Sequence, residues 1–177
     1  MQIDDEAFVR AFNDVAHYTH LVDSEQEHPL SFFETIVGMA YAAFADAPNF
    51  RFVRMDVCDK GAAMDALFEG ADTVFHNAAS KKNVCLIDPA RDLAVNAGGA
   101  LNLLEHARKH GVRKFVHAST GSVYGEPTIF PTDESHPLRP VSYYGVSKLA
   151  GERYVDVFHH LYGLDTTILR YFHVYGP

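Results

Sequence analysis

Lys114-Phe-Val-His-Ala-Ser-Thr-Gly-Ser-Val-Tyr-Gly125 opens as a short apolar run and breaks at once into small and hydroxyl-bearing residues. The first five residues, Lys114 to Ala118, have the length and content of a strand buried in a parallel sheet. Thr120, just beyond that strand, then falls at the carboxyl edge of the sheet, where open α/β sheets bind ligands. The same rhythm repeats on either side. Arg51 to Asp56 (RFVRMD), Thr73 to His76 (TVFH) and Thr166 to Tyr171 (TTILRY) are also short, apolar and followed by polar or small residues. Amphipathic stretches separate them, the alternation that builds parallel strands joined by helices. We expect an α/β fold with a parallel sheet of about four strands and flanking helices.

The helices carry readable ends. Asp59 is placed to cap a helix with Met64, Leu67 and Phe68 on its apolar face, stopped by Gly70. Asp88 and Pro89 open a longer segment that buries Leu93, Ala97, Leu101 and Leu104, sets Arg108 and Lys109 against the helix dipole, and ends at Gly111. Gly98 and Gly99 interrupt it. Each glycine inside a helix costs up to about 1 kcal/mol relative to alanine, so the helix bends there or something packs unusually close. A last helix runs from about Tyr143 to Tyr162, with Val146, Leu149, Ala150, Tyr154, Phe158 and Leu161 in one stripe, and stops at Gly163.

Residues 1–49 differ in kind. Two amphipathic stretches, Asp4 to His17 and Ser31 to Phe44, flank the polar link VDSEQEHP with no convincing strand between them, and Ser31 with Glu34 forms a capping box. The start of strand rhythm at Phe50 marks a boundary between a helical N-terminal segment, 1–49, and a second region, 50–177.

A chain of 177 residues with 47% hydrophobic content suits one ordinary core. The formal charge of −8 and a pI near 5.7 come with no segment that concentrates lysine or arginine, which argues against nucleic acid as a partner. Cys58 and Cys85 are too few and too far apart for a disulfide framework or a zinc knuckle, so no metal site is expected and a reducing cytoplasm fits best. The acidic start MQIDDEAFVR has no apolar export core, and no stretch approaches the ~20 apolar residues of a membrane span.

Tyr144-Gly-Val-Ser-Lys148 supplies the chemistry. The tyrosine and lysine stand at i and i+4, on one helix face. A phenol with a pKa near ~10 is a poor base at neutral pH, but an ammonium beside it favours the phenolate. Tyr144 is then suited to remove a hydroxyl proton while the carbon-bound hydrogen leaves as hydride to a nicotinamide ring, with Thr120 hydrogen-bonded at the reacting oxygen.

Phe50 to Pro177 resembles the extended short-chain dehydrogenase/reductase family, the NAD-dependent nucleotide-sugar epimerases and dehydratases. The resemblance rests on MDV at Asp56, FHNAA from Phe75 to Ala79, NAGG from Asn96, HASTGSVYGEP from His117, PVSYYGVSKLAGE from Pro140 and LRYFHVYGP at the end, in family order. It implies a Rossmann-type sheet and NAD as cofactor, without setting NADP apart. Asp56 and Val57 would contact the adenine, and Ala78, Ala79 and Lys81 would lie along the phosphates. Thr120 or the adjacent Ser119 would be the catalytic hydroxyl and Tyr144 the acid/base. Lys148 would hold the ribose and tune Tyr144, both residues lying on the cofactor, and Asn96 would be a structural or water-ordering group. The other histidines carry no role. A nucleotide sugar is the implied substrate, and a homo-oligomer is left open.

The chain also departs from the family. Dehydratases have an acidic pair after the threonine, where Gly121 and Ser122 stand here, so the chemistry reads as epimerase-like. His173 replaces an asparagine that helps hold the substrate diphosphate, and the C-terminal substrate segments are not in the sequence. Most consequential, the family's strand and G-x-x-G-x-x-G phosphate turn are missing before Phe50, and Gly38 stands alone in an apolar helical stretch. The expectation is therefore an incomplete Rossmann domain with weak or no activity, in which the strand at Arg51 pairs directly with that at Thr73. An active NAD(P)-dependent epimerase or reductase completed by a partner chain is the alternative. Residues 1–49, through IDDEAFVRAFNDV and EHPLSFFETIVGMAYAAFADAP, resemble instead a helical stretch of folylpolyglutamate synthase. That likeness implies a segment of separate origin and, as a third reading, a ligase-related or interaction module.

Overall fold

The computed structural model describes Val9, Asn13, residues 53–80 and residues 82–173. Val9 and Asn13 are helical and fall in the stretch read as Asp4 to His17. The rest of that stretch, the helix read over Ser31 to Phe44 and the remainder of the folylpolyglutamate synthase-like segment lie outside the described residues.

Met55–Val174 forms one compact unit. Its sheet contains β1 (Thr73–His76), β2 (Lys114–Thr120) and β3 (Asp165–Tyr171), all parallel, in the order β1-β2-β3. In register, His76 lies beside His117 and His117 beside Ile168. β2 runs two residues beyond Ala118, so Ser119 and Thr120 still pair with Arg170 and Tyr171. Every strand therefore ends at the same edge, next to polar residues.

The sheet has three strands among the described residues where about four were expected. Val53–Asp56 forms no strand and does not pair with β1. Its last residue is committed to a tight turn instead. The Asp56 carbonyl accepts from the Asp59 N–H at 2.9 Å, the Asp56 carboxylate accepts from the Cys58 N–H at 2.9 Å, and the Asp59 carboxylate accepts from the Asp56 N–H at 3.1 Å. That last bond also takes Asp59 away from the capping role assigned to it. α1 (Ala62–Phe68) starts after Gly61, with no side chain capping it. Gly70 follows α1 with φ +73°, the left-handed conformation a helix stop requires.

The long segment after β1 is built in pieces. α2 (Lys82–Ile87) has no counterpart in the sequence reading, and α3 (Pro89–Leu93) begins as expected, with the Asp88 carboxylate accepting from the Arg91 N–H at 2.9 Å. A π-helical turn, Ala94–Gly99, follows, and α4 (Ala100–Lys109) completes the segment. The wide turn falls where the glycine pair stands. A Cβ on Gly99 would lie 2.6 Å from Val57 Cγ2, so this glycine is a site of close approach. Leu93, expected inside, is exposed.

α5 (Tyr143–Tyr162) is capped by Ser142, whose hydroxyl accepts from the Gly145 N–H at 3.0 Å, and stopped by Gly163 at φ +69°. Its buried face is not the apolar stripe read from spacing. Val146, Tyr154 and Leu161 are exposed, while Gly145, Ser147, Lys148, Gly151, Glu152, Val155 and Phe158 are buried. The polar members of that face find partners inside, and Gly151 lets the Asn96 carbonyl come within 3.0 Å of the place a Cβ would take. Met64, Phe68, Leu103, Leu104, Ala107, Val112, Phe115, Val155, Phe158 and Leu164 form the hydrophobic core. Among the described residues no helix is long and apolar enough to cross a membrane.

Candidate active site

Two elements present the candidate catalytic groups. β2 ends in Thr120, whose hydroxyl accepts from the Ser122 N–H at 3.2 Å as the chain turns into a short 3₁₀ segment, Gly121–Val123. The first turns of α5 present Tyr144 and Lys148, and the Tyr144 phenol lies close enough to the Thr120 side chain for the two to influence each other. Lys148 is buried, and its ammonium donates to the Ala118 carbonyl at 2.6 Å. Thr120, Tyr144 and Lys148 thus meet at the carboxyl edge of β2. Ser119, the other candidate hydroxyl, alternates onto the face of β2 that carries Phe115 and His117, where its Oγ is buried without a partner.

The electrostatics differ from the sequence expectation. Burial pushes the Tyr144 phenol above its ordinary value, Asp92 and Cys85 push it the same way, and the Thr120 side chain opposes them. Tyr144 is held as the neutral phenol because desolvation outweighs the aid to the phenolate. Lys148 is held down to about 8 by burial, against the pull of Glu152 and Asp92. Its ammonium is directed at a backbone carbonyl rather than presented to the phenol.

The remaining predicted residues fall in three places. Asn96 is fully buried in the π-helical turn, accepting from the Ser80 N–H at 2.8 Å and donating to Asp92 at 3.0 Å and Ser147 at 2.9 Å. Asp56 sits in its turn, where the Cys58 N–H and then the Arg91 guanidinium bonded to its carboxylate hold it down to about 2. Val57 packs on Gly99, and its carbonyl accepts from Asn102 at 2.9 Å. Ala78 and Ala79 are exposed just after β1, and Lys81 lies outside the described residues.

Sequence reasoning missed the groups that support these. Asp92 and Ser147 complete the buried network around Asn96, and the Asp92/Asn96 spacing of four residues was the available signal. Glu152, fully buried, pairs bidentately with Arg170 at 3.0 and 2.9 Å, and Arg170 also donates to the Tyr124 hydroxyl at 2.8 Å. His76 and His117 are buried beside each other with unpartnered ring nitrogens. Burial and then Lys148 depress both, His76 to about 4 and His117 to about 2, with His76 adding to the effect on His117.

Comparison with known proteins gives a consistent picture. The model of the NAD dependent epimerase/dehydratase family matches residues 7–177, starting within the N-terminal segment. A putative UDP-glucose 4-epimerase of Methanocaldococcus jannaschii is 42% identical over 132 residues, covering 73% of this chain and 43% of that protein. A dTDP-glucose 4,6-dehydratase of Streptomyces niveus is 37% identical over 137 residues, covering 77% of this chain and 40% of that one. Among solved structures, the UDP-glucose 4-epimerase of Thermotoga maritima with UDP-glucose aligns at 40% identity and a TM-score of 0.68, over 73% of this chain and 43% of that one. The Thermus thermophilus UDP-glucose 4-epimerase complex with NAD aligns at 41% identity and a TM-score of 0.65, over 70% and 41%. The chain spans about two fifths of the length of these relatives.

Proposed function

The chain belongs to the NAD-dependent epimerase/dehydratase family, and from that premise we propose that residues 50–177 carry the catalytic edge of a nucleotide-sugar epimerase with an incomplete cofactor site. The observation that carries this reading is the meeting of Thr120, Tyr144 and Lys148 at the end of β2. Gly121 supports epimerase-like over dehydratase-like chemistry. A Cβ there would lie 2.8 Å from the Phe172 ring, so an acidic side chain at this position requires Phe172 to move.

The residues present fit one end of NAD. Ser80 after β1 and Ser119 near the end of β2 keep buried hydroxyls without partners, the kind of orphaned polar atoms a bound group or water satisfies. Lys148 and Tyr144 would hold the nicotinamide ribose, and Asp56 and Val57 the adenine, once Asp56 exchanges Arg91 for the base. The pyrophosphate end fits poorly, because no G-x-x-G-x-x-G turn stands in the 177 residues. When bound, NAD supplies a hydride acceptor that also returns the hydride. Tyr144 moves the proton of the sugar hydroxyl, Thr120 hydrogen-bonds at that oxygen, and Lys148 places a positive charge behind them.

Fluorescence titration with NADH tests the proposal. The expected outcome is binding that does not saturate in the micromolar range and is weaker still in Lys148→Ala. Micromolar saturation would overturn the incomplete-site reading, and formation of a 4-keto-6-deoxy product from a nucleotide hexose would overturn the epimerase assignment.

A further inference from the structure

Asp92 is buried to 1% exposure in α3, and nothing in the catalytic reading gives it a role. Burying a carboxylate is costly unless its oxygens are satisfied and its charge is balanced. The oxygens are satisfied by neutral donors. One accepts from Asn96 Nδ2 at 3.0 Å and the other from the Ser147 hydroxyl at 2.5 Å, while Asn96 Nδ2 also reaches Ser147 Oγ at 2.9 Å. Ser147 stands between the two reactive side chains on α5, and its Oγ lies 3.0 Å from the Tyr144 carbonyl. The carboxylate is therefore tied to the very turn that presents Tyr144 and Lys148.

The charge must be balanced elsewhere. Around Lys148 stand the Ala118 carbonyl and His117 from β2, His76 from β1, Glu152 from α5 and Asp92 from α3. Both histidines are neutral in the fold, and Glu152 is already paired bidentately with Arg170. Around Tyr144 stand Thr120 from β2, Cys85 from α2 and, again, Asp92. Asp92 acts on both reactive side chains, and its hydrogen-bond donors bring it no positive charge.

We propose that Asp92 is a positioning residue for the Tyr144–Lys148 pair, fixing the first turn of α5 through Ser147 and adding to Glu152 a second negative charge near the buried Lys148 ammonium. The same charge adds to the burial that keeps Tyr144 a neutral phenol. The inference rests on the family reading for what Tyr144 does, but its test uses neither cofactor nor substrate.

The ionisation of Tyr144 is read by NMR on protein labelled with ¹³Cζ-tyrosine, with Tyr144→Phe to assign the resonance and circular dichroism to check each fold. Asp92→Asn removes the charge and is expected to lower the Tyr144 midpoint by about one pH unit or more. Ser147→Ala keeps the charge but takes away a donor that disperses it, so its midpoint is expected at or above that of the wild type. A purely structural loosening moves both variants downward together, as water reaches the phenol. A midpoint in Asp92→Asn at or above the wild-type value overturns the proposal, and so does a fall in Ser147→Ala. If Asp92→Asn does not fold, Ser147→Ala decides. A chain that fails to bind NADH still yields these midpoints, so failure of this inference and failure of the proposed function are seen separately.

Discussion

Arg170 and Glu152 meet where β3 passes α5, and their pairing shows how single residues hold the carboxyl edge of the sheet in place. The Glu152 carboxylate is fully buried, and Arg170 answers it with two hydrogen bonds while lying 5.0 Å from the Tyr124 ring centroid and donating to the Tyr124 hydroxyl. Tyr124 in turn stacks on Phe172, which fills the space above Gly121. A buried pair adds little net stability compared with an apolar replacement, yet breaking it from one side leaves an uncompensated charge. Arg170→Met is therefore expected to cost about 3–5 kcal/mol in urea unfolding. The double variant Arg170→Met with Glu152→Gln is expected to recover part of that loss, and equal losses in the two would count against the account. None of this was legible beforehand. Tyr144, Lys148 and Thr120 stand out by motif, but Glu152 and Arg170 read as an ordinary helix acid and an ordinary strand base until the fold brings them together.

At the scale of elements, the two adjacent glycines separate into different tasks. Gly98 has its nearest neighbour at 4.0 Å from a built Cβ, whereas at Gly99 the same atom would stand 2.6 Å from Val57 Cγ2. Gly98→Ala is expected to be neutral or slightly stabilising, because alanine lowers the entropy of the unfolded chain without a clash. Gly99→Ala is expected to cost about 1–3 kcal/mol, the range for overpacking, and thermal unfolding of the pair distinguishes them. Sequence patterning located the interruption but did not say which glycine bears the contact, since that depends on where the 56–59 turn places Val57. The same limit explains α5. Helical spacing marked its apolar residues, but the sheet-facing side is chosen by Ser147, Lys148, Gly151 and Glu152, whose polar groups find partners at 18 to 55 residues' separation. Strand positions were read more reliably, because β1, β2 and β3 are short runs centred on β-branched and aromatic residues with no competing pattern. The Arg51–Asp56 run has the same composition, yet at Asp56 local hydrogen bonding closes a turn instead of a ladder.

Across the compact unit, the two sheet histidines make stability depend on acid. His76 and His117 are neighbours in register with ring centroids 5.0 Å apart, both almost fully buried, and their ring nitrogens have no hydrogen-bond partner. Their folded values, about 4 and about 2, lie below the ordinary 6.5. As pH falls through 6.5 the unfolded chain takes up protons that the folded chain refuses, so stability is full above 6.5 and is lost progressively below it. For His76 the loss continues to about pH 4, where the folded ring also protonates, and amounts to about 3 kcal/mol at most. The partly exposed carboxylates of Asp56 and Asp65, both held down to about 2, add acid sensitivity chiefly below 3.8, which leaves most of the interval from 6.5 to 4 to the histidines. Urea midpoints measured at steps between pH 7 and 4.2 are expected to fall steeply for the wild type. In His76→Phe, which places an apolar ring beside Phe115 and removes the titrating group, the fall is expected to be distinctly shallower. Parallel curves for the two proteins would mean that the buried histidines do not govern this limb. A variant curve that is merely shifted downward at every pH would report packing damage at the β1–β2 edge and would leave the slope, which carries the electrostatic argument, as the quantity to compare.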